Sequence, residues 1–163
     1  MQLQKIISGG QTGVDQAALD VALTLGFAIG GWCPPGRICD AGLIPVRFQL
    51  IETPQDASPD APHIPRSQRT AWNVRDADAT LVIISTRVPA DLGTAWTQQC
   101  ISQYRKAGMI ADVQDPQIVR KIRDWLESGA FRILNVAGHR EAFFPGIGEM
   151  TKQILREVFV PDI

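Results

Sequence analysis

The chain has 163 residues and a formal net charge of −1, a length that fits one domain over 1–163 and buries about 70% of the unfolded surface. So neutral a balance excludes the basic footprint of a general nucleic-acid or membrane-surface binder, and no apolar run reaches the length of a membrane span. Cys33, Cys39 and Cys100 are odd in number and lack CxxC spacing; they read as free thiols rather than disulfides or a zinc site, and with no signal-peptide pattern a soluble cytoplasmic protein is expected.

Leu3 to Ser8 reads as a first strand. Val14, Ala17, Ala18, Val21, Ala22 and Leu25 recur at the i, i+3, i+4, i+7 spacing of a core-facing helix that ends at Gly26. Between the two lies Gly9-Gly10-Gln11-Thr12-Gly13. Glycine permits positive φ and lets a ligand approach the backbone, while the free N–H groups and dipole of a helix start favour an anion. A phosphate is the expected guest, with Thr12 and Asp15 as a shortened capping box. A turn that needs glycine for geometry alone is the alternative.

Phe27 to Gly31 forms a short second strand and enters the proline-fixed loop Trp32–Arg37. Arg37 is the first basic group near the glycine turn; a solvated loop arginine is the other reading. Val46 to Ile51 is expected as a third strand on a weak pattern. Residues 53–65, with Pro54, Pro59, Pro62 and Pro65, read as an extended surface loop that includes His63. Arg66 to Ala77 reads as a helix with Arg66, Arg69 and Asn73 on one face, turned to an anion, a second subunit or solvent.

Ala79 to Ser85 is apolar throughout, as a strand buried on both faces of a parallel sheet must be. The loop after it carries Gly93-Thr94 to the next helix start, a second candidate phosphate cradle. Trp96, Cys100, Ile101 and Tyr104 form that helix's apolar stripe. Met109 to Val113 is a fifth strand, and Asp115-Pro116 opens a helix with Ile118, Val119, Ile122, Trp125 and Leu126 inward. Phe131 to Val136 is the sixth strand. A final helix follows, with Ile147, Met150, Ile154, Leu155 and Val158 buried.

This alternation predicts an α/β fold, a doubly wound parallel sheet flanked by helices in an order near 3-2-1-4-5-6. Ligands in such sheets bind beyond the carboxyl ends of the strands, where the order reverses. Four loops occupy that edge: Gly9–Gly13, Trp32–Arg37, Ser85–Thr94 and Gly138–Gly148. Ser8-x-Gly10-x-x-Gly13 is one glycine short of a dinucleotide fingerprint, and no acid ends the second strand, which argues against ordinary NAD binding. No lysine follows Gly13, as a nucleoside-triphosphatase loop requires. His139 beside Arg140 reads as a base, a loop residue or a binding group.

Ser8 to Asp20, then Gly30-Gly31-Trp32-Cys33-Pro34-x-Gly36-Arg37, resemble the molybdenum cofactor carrier protein family. Further matches lie at Arg69-Thr70-x-x-Asn73-Val74-x-Asp76-Ala77-Asp78-Ala79-Thr80, at Gly93-Thr94, and at Asn135-Val136-Ala137-Gly138-x-Arg140-Glu141 with Pro145-Gly146-Ile147. The 53–65 loop is longer than the family pattern, and His139 stands where a proline is expected. The resemblance implies a Rossmann-like protein related to lysine-decarboxylase-like and phosphoribohydrolase proteins. It also implies binding and protection of the molybdenum cofactor, a pterin dithiolene with one phosphate, for a client molybdoenzyme, and homo-oligomers, often tetramers. The expected binding residues are Gly9, Gly10, Gln11, Thr12, Gly13, Asp15, Trp32, Arg37, Ser85, Gly93, Thr94, Arg140, Glu141 and Gly146, with no metal ligands and no catalytic residue.

Three functions stay open. A carrier binds its phosphorylated ligand without turnover. An enzyme of the phosphoribohydrolase type cleaves a nucleoside monophosphate, but those relatives place a glutamate three residues after the Gly-Thr, where this chain has Thr97; Glu141 or Asp15 is the available substitute. A nucleotide sensor binds without turnover.

Overall fold

A computed structural model describes residues 1–160 of the chain. In chain order the elements are β1 Lys5–Ile7, α1 Val14–Thr24, β2 Ala28–Gly30, β3 Trp32–Cys33, a 3-10 turn at Pro35–Arg37, β4 Ile38–Cys39 and β5 Gly42–Leu43. Then come β6 Ile51–Glu52, α2 Ser67–Asp76, β7 Ala79–Ile84, α3 Leu92–Gln103, β8 Ala107–Asp112, α4 Ile118–Ser128, β9 Ile133–Gly138 and α5 Ile147–Phe159.

Five strands make one parallel sheet in the order β2-β1-β9-β7-β8. One face buries Ile6, Leu81, Ile83, Leu134 and Val136 against the apolar stripes of α1, α4 and α5. Each such aliphatic side chain contributes about 1.5–3 kcal/mol when fully removed from water. The helices α2 and α3 pack together through Ala71, Val74, Trp96 and Cys100. Tyr104, expected on the stripe of α3, is exposed because it is that helix's C-cap. All three cysteines are buried and unpaired, and burial pushes the Cys100 thiol up to about 12; such thiols are inert.

Two expectations are corrected. Val46–Ile51 is not a strand of the sheet: Pro45 lacks an N–H, Val46 is 91% exposed, and only Ile51–Glu52 pairs, parallel to β3 in a separate two-stranded sheet. The strand order also differs, since the last strand lies between the first and the fourth. Counting β9 as the opening strand restores the sequence 3-2-1-4-5 across the sheet. The order therefore reverses between β9 and β7. Among the described residues, no helix is long and apolar enough to cross a membrane.

Candidate functional site

The glycine turn after β1 is closed by the protein's own groups. At Gly9 a Cβ would overlap Nη1 of Arg69 and lie 2.6 Å from its Cζ. At Gly13 (φ +87°) a Cβ would lie 2.6 Å from both Glu141 N and the His139 carbonyl oxygen, so α1 seats on the 139–141 backbone only with glycine there. Gly10 faces Ile44 and Leu50. Gln11 N donates to Asp15 Oδ2 (3.2 Å), Thr12 N to Gln11 Oε1 (2.9 Å) and Val14 N to the His139 carbonyl (3.1 Å). The expected Thr12–Asp15 capping box is absent. Asp15 serves Gln11 and Arg69, Thr12 Oγ1 turns to Gln11 Oε1, and the N-cap Gly13 has no side chain to offer.

The second cradle is capped in the same way. Asp91 Oδ1 accepts from Thr94 N (2.6 Å), and its Oδ2 accepts from Thr94 Oγ1 (2.9 Å) and lies 2.8 Å from His139 Nδ1. At the start of α5, Glu141 accepts from Gly146 N (2.9 Å) and Gly148 N (3.2 Å). A carboxylate of the chain thus stands at each of these three helix starts; those of Asp91 and Glu141 accept from Thr94 N and Gly148 N, first-turn donors with no partner inside the helix, while Asp15 accepts from Gln11 N ahead of α1.

Beyond the ends of β9 and β7 opens a cleft of about 460 Å³. Gln11 and Asp15 line it from the first turn, Asp40 from the β4–β5 hairpin, and Ile64, Arg66, Arg69 and Thr70 from the α2 region. Asp91, Leu92, Gly93 and Thr97 come from the start of α3; Gly138, Arg140 and Phe143 come from the segment after β9. Three guanidinium groups therefore face three carboxylates. Arg69 Nη1 lies 3.0 Å from Asp15 Oδ2, with side-chain exposures of 15% and 5%. Burial drives the Asp15 carboxyl above its ordinary value, against the opposing charge of Arg69. Asp40 bridges Arg66 Nη1 (3.1 Å) and Arg140 Nη1 (3.0 Å). Partial burial pushes Asp40 up, but the hydrogen bond from Arg140 and the charge of Arg66 outweigh it and hold the carboxyl below the usual range.

Of the expected binding residues, Gln11, Asp15, Gly93 and Arg140 meet in this cleft. Thr94 is buried behind the Asp91 cap. Arg37 turns away: its guanidinium donates to the carbonyls of Leu50 (3.3 Å), Pro45 (3.2 Å) and Phe48 (2.7 Å). Trp32 packs edge-on against Trp72 and donates to Asp76 Oδ2 (2.7 Å). Ser85 Oγ accepts from Arg87 N and Gln114 Nε2. Gly13 and Glu141 border a smaller hollow with Asp20 and Lys152. Arg66 and Arg69, read as one helix face, both enter the cleft, whereas Asn73 clasps the Trp32 backbone through its amide. His139 is neither loop surface nor a cleft wall but a buried partner of Asp91.

Sequence reasoning missed Asp40, Asp91 and Phe143. Asp91 carried a readable signal, an aspartate three residues before Thr94 at a helix start, the pattern of an N-cap. Asp40 carried none, because only the fold brings its hairpin to Arg140.

The chain matches the model of the circularly permutated YpsA SLOG family over residues 6–159. The permutation in that name agrees with the sheet, in which the last strand occupies the place of an opening one. The chain is also similar to a solved structure from Syntrophus aciditrophicus SB named "Putative molybdenum carrier protein", with 36% identity, a TM-score of 0.86, and coverage of 98% of this chain and 96% of that one. A search of curated proteins gives no match.

Proposed function

The chain belongs to the circularly permutated YpsA SLOG family, and from that premise we propose that its cleft binds a phosphorylated heterocycle, the molybdenum cofactor, and holds it unchanged for a client molybdoenzyme. The observation that carries this reading is the convergence of Arg66, Arg69 and Arg140, from two distant segments, on one cleft at the reversal of strand order. Guanidinium forks bind oxyanions bidentately. A cleft of about 460 Å³ suits a small organic ligand, for which pockets run from about 300 to 1,000 Å³. Gln11 and Asp15 add polar groups to the lining, and Ile64, Leu92 and Phe143 add apolar surface. The choice of a pterin over other phosphorylated heterocycles is supported by the name of the Syntrophus protein. Assembly into homo-oligomers belongs to the same proposal, and sedimentation as a monomer at micromolar concentration would overturn that part.

A second reading, cleavage of a nucleoside monophosphate, is favoured by one observation: the cleft holds a carboxyl, Asp15, pushed up by burial, as general acids are.

The deciding experiment is anaerobic purification followed by mass spectrometry of the released small molecules, with the lifetime of added molybdenum cofactor measured in the presence and absence of the protein. A co-purifying phosphorylated pterin and a longer lifetime are expected. A nucleotide in its place, with no change in lifetime, overturns the carrier reading.

A further inference from the structure

We propose that Arg66 and Arg140 form an oxyanion subsite at the mouth of the cleft, that this subsite takes the dianion of a phosphate monoester, and that Asp40 occupies it as an intramolecular competitor which the phosphate displaces. The proposal deepens the carrier reading and rests on it only for the rest of the ligand.

Two arginines from distant parts of the chain meet on a single carboxylate, at 3.1 Å and 3.0 Å. Such a point is shaped for two neighbouring oxygens that share negative charge. A phosphate monoester offers that pair, a third oxygen and close to twice the charge. The starts of α1, α3 and α5 already commit N–H groups within the chain: Val14 N to the His139 carbonyl, Thr94 N to Asp91 and Gly148 N to Glu141. The paired arginines add charged, bidentate donors that a helix start does not offer.

Of the three cleft aspartates, Asp40 is the one built to move. Displacing Asp15 would leave a buried charge without its partner, which is strongly destabilising. Displacing Asp91 would uncap α3 and strip His139 of its acceptor. Asp40 instead sits at the turn of a hairpin whose two strands are two residues each, in a run from Asp40 to Leu43 that is exposed. Its ion pairs are partly solvated, and pairs of that kind contribute little. Its backbone is pinned, because Asp40 N donates to Gln11 Oε1 at 2.9 Å. The carboxylate can swing out by side-chain rotation while the hairpin stays in place.

The test is calorimetric titration with inorganic phosphate and with methyl phosphate at neutral pH. The proteins are the wild type, Asp40→Asn, Asp40→Ala, and Asp40→Asn combined with Arg66→Gln or with Arg140→Gln. Near-UV circular dichroism establishes that each is folded, and the isosteric Asp40→Asn carries the test if the alanine variant does not fold. Phosphate binding about tenfold tighter in the Asp40 variants is expected, equivalent to about 1.4 kcal/mol, and loss of either arginine should abolish the gain. Unchanged or weaker binding in the folded Asp40 variants overturns the proposal, as does a gain that survives both arginine replacements. Phosphate reads the subsite without any pterin. A gain in Asp40→Asn beside a wild type that neither binds nor protects molybdenum cofactor therefore sinks the carrier reading alone, and the reverse result sinks the subsite alone.

Discussion

Gly9 and Arg69 compete for one volume: a Cβ at position 9 would overlap the guanidinium that reaches past it to Asp15 Oδ2 at 3.0 Å. The glycine at the end of the first strand thus serves an arginine of α2, and the buried ion pair it admits forms part of the cleft floor.

Gly9→Ala is expected to expel Arg69 and leave Asp15 buried without its cation. Breaking a buried pair in this way costs about 3–5 kcal/mol, to be read from urea denaturation. In an Arg69→Ala background the added methyl meets no guanidinium, so the same substitution should cost less than about 1 kcal/mol, a coupling that a double-mutant cycle isolates. Equal costs in both backgrounds would show that the overlap is not why glycine is needed.

Asp15 and Asp40 should leave opposite marks on stability against pH. Burial raises the Asp15 carboxyl above the ordinary aspartate value of 3.8, so its contribution is present below that value and lost as pH rises through the raised folded pKa. The arginines around Asp40 hold it below 3.8 despite some burial, so its contribution is present above 3.8 and lost as pH falls through the depressed folded pKa. As pH falls from neutral towards 4, the wild type should gain stability relative to Asp15→Asn. Below that it should lose stability relative to Asp40→Asn. Denaturation series across this range check both signs, and a flat difference for Asp15→Asn would contradict the first.

Arg37 holds the 45–50 loop through three carbonyls. Charged hydrogen bonds each contribute about 1.5–3 kcal/mol, and the geometry here is shared and partly solvated. Arg37→Ala is accordingly expected to destabilise the protein by about 2–3 kcal/mol with phosphate affinity unchanged. Arg37→Lys should recover only part of the loss, because a compact ammonium does not span three acceptors as a guanidinium does. A folded Arg37→Ala protein of undiminished stability but weaker phosphate binding would put this arginine back at the ligand.

Why the fold was more legible than the site follows from the same residues. Periodicity placed α1, β7, α4 and α5 within a few residues, since each buries one continuous stripe or run. Strand order was not readable because alternation of strands and helices is unchanged by permutation. A chain with β9 last shows the same local pattern as one with β9 first. The consequence is physical: the crevice opens beyond β9 and β7, at Gly138 and Asp91, and the glycine turn after β1 contributes Gln11 and Asp15 to its lining. Arg37 and Asp40 are three residues apart, yet only Asp40 faces the cleft. Which way each side chain turns is decided by carbonyls of the 45–50 loop and by Arg140, partners that no local window contains.

The last prediction separates carrier from hydrolase. Cleaving a glycosidic bond in a nucleoside monophosphate needs a group that can protonate the departing base or activate water, an effect of about 10²–10⁴-fold. Glu141 is engaged at the start of α5, where Gly146 N and Gly148 N donate to it. Asp91 is fixed by Thr94 and His139, and Asp40 is held in its ionised form by two arginines. Thr97, three residues after Thr94, donates its hydroxyl to the Gly93 carbonyl at 2.9 Å. Asp15 has the raised proton affinity of an acid, but its side chain is 5% exposed and its Oδ2 already receives Arg69 and Gln11 N. The expected outcome is that incubation with adenosine, guanosine and cytidine monophosphates releases no free base above the rate in buffer, while added molybdenum cofactor decays more slowly. Steady base release that Asp15→Asn abolishes, with the variant still folded and still binding phosphate, would make Asp15 the acid and the protein a hydrolase.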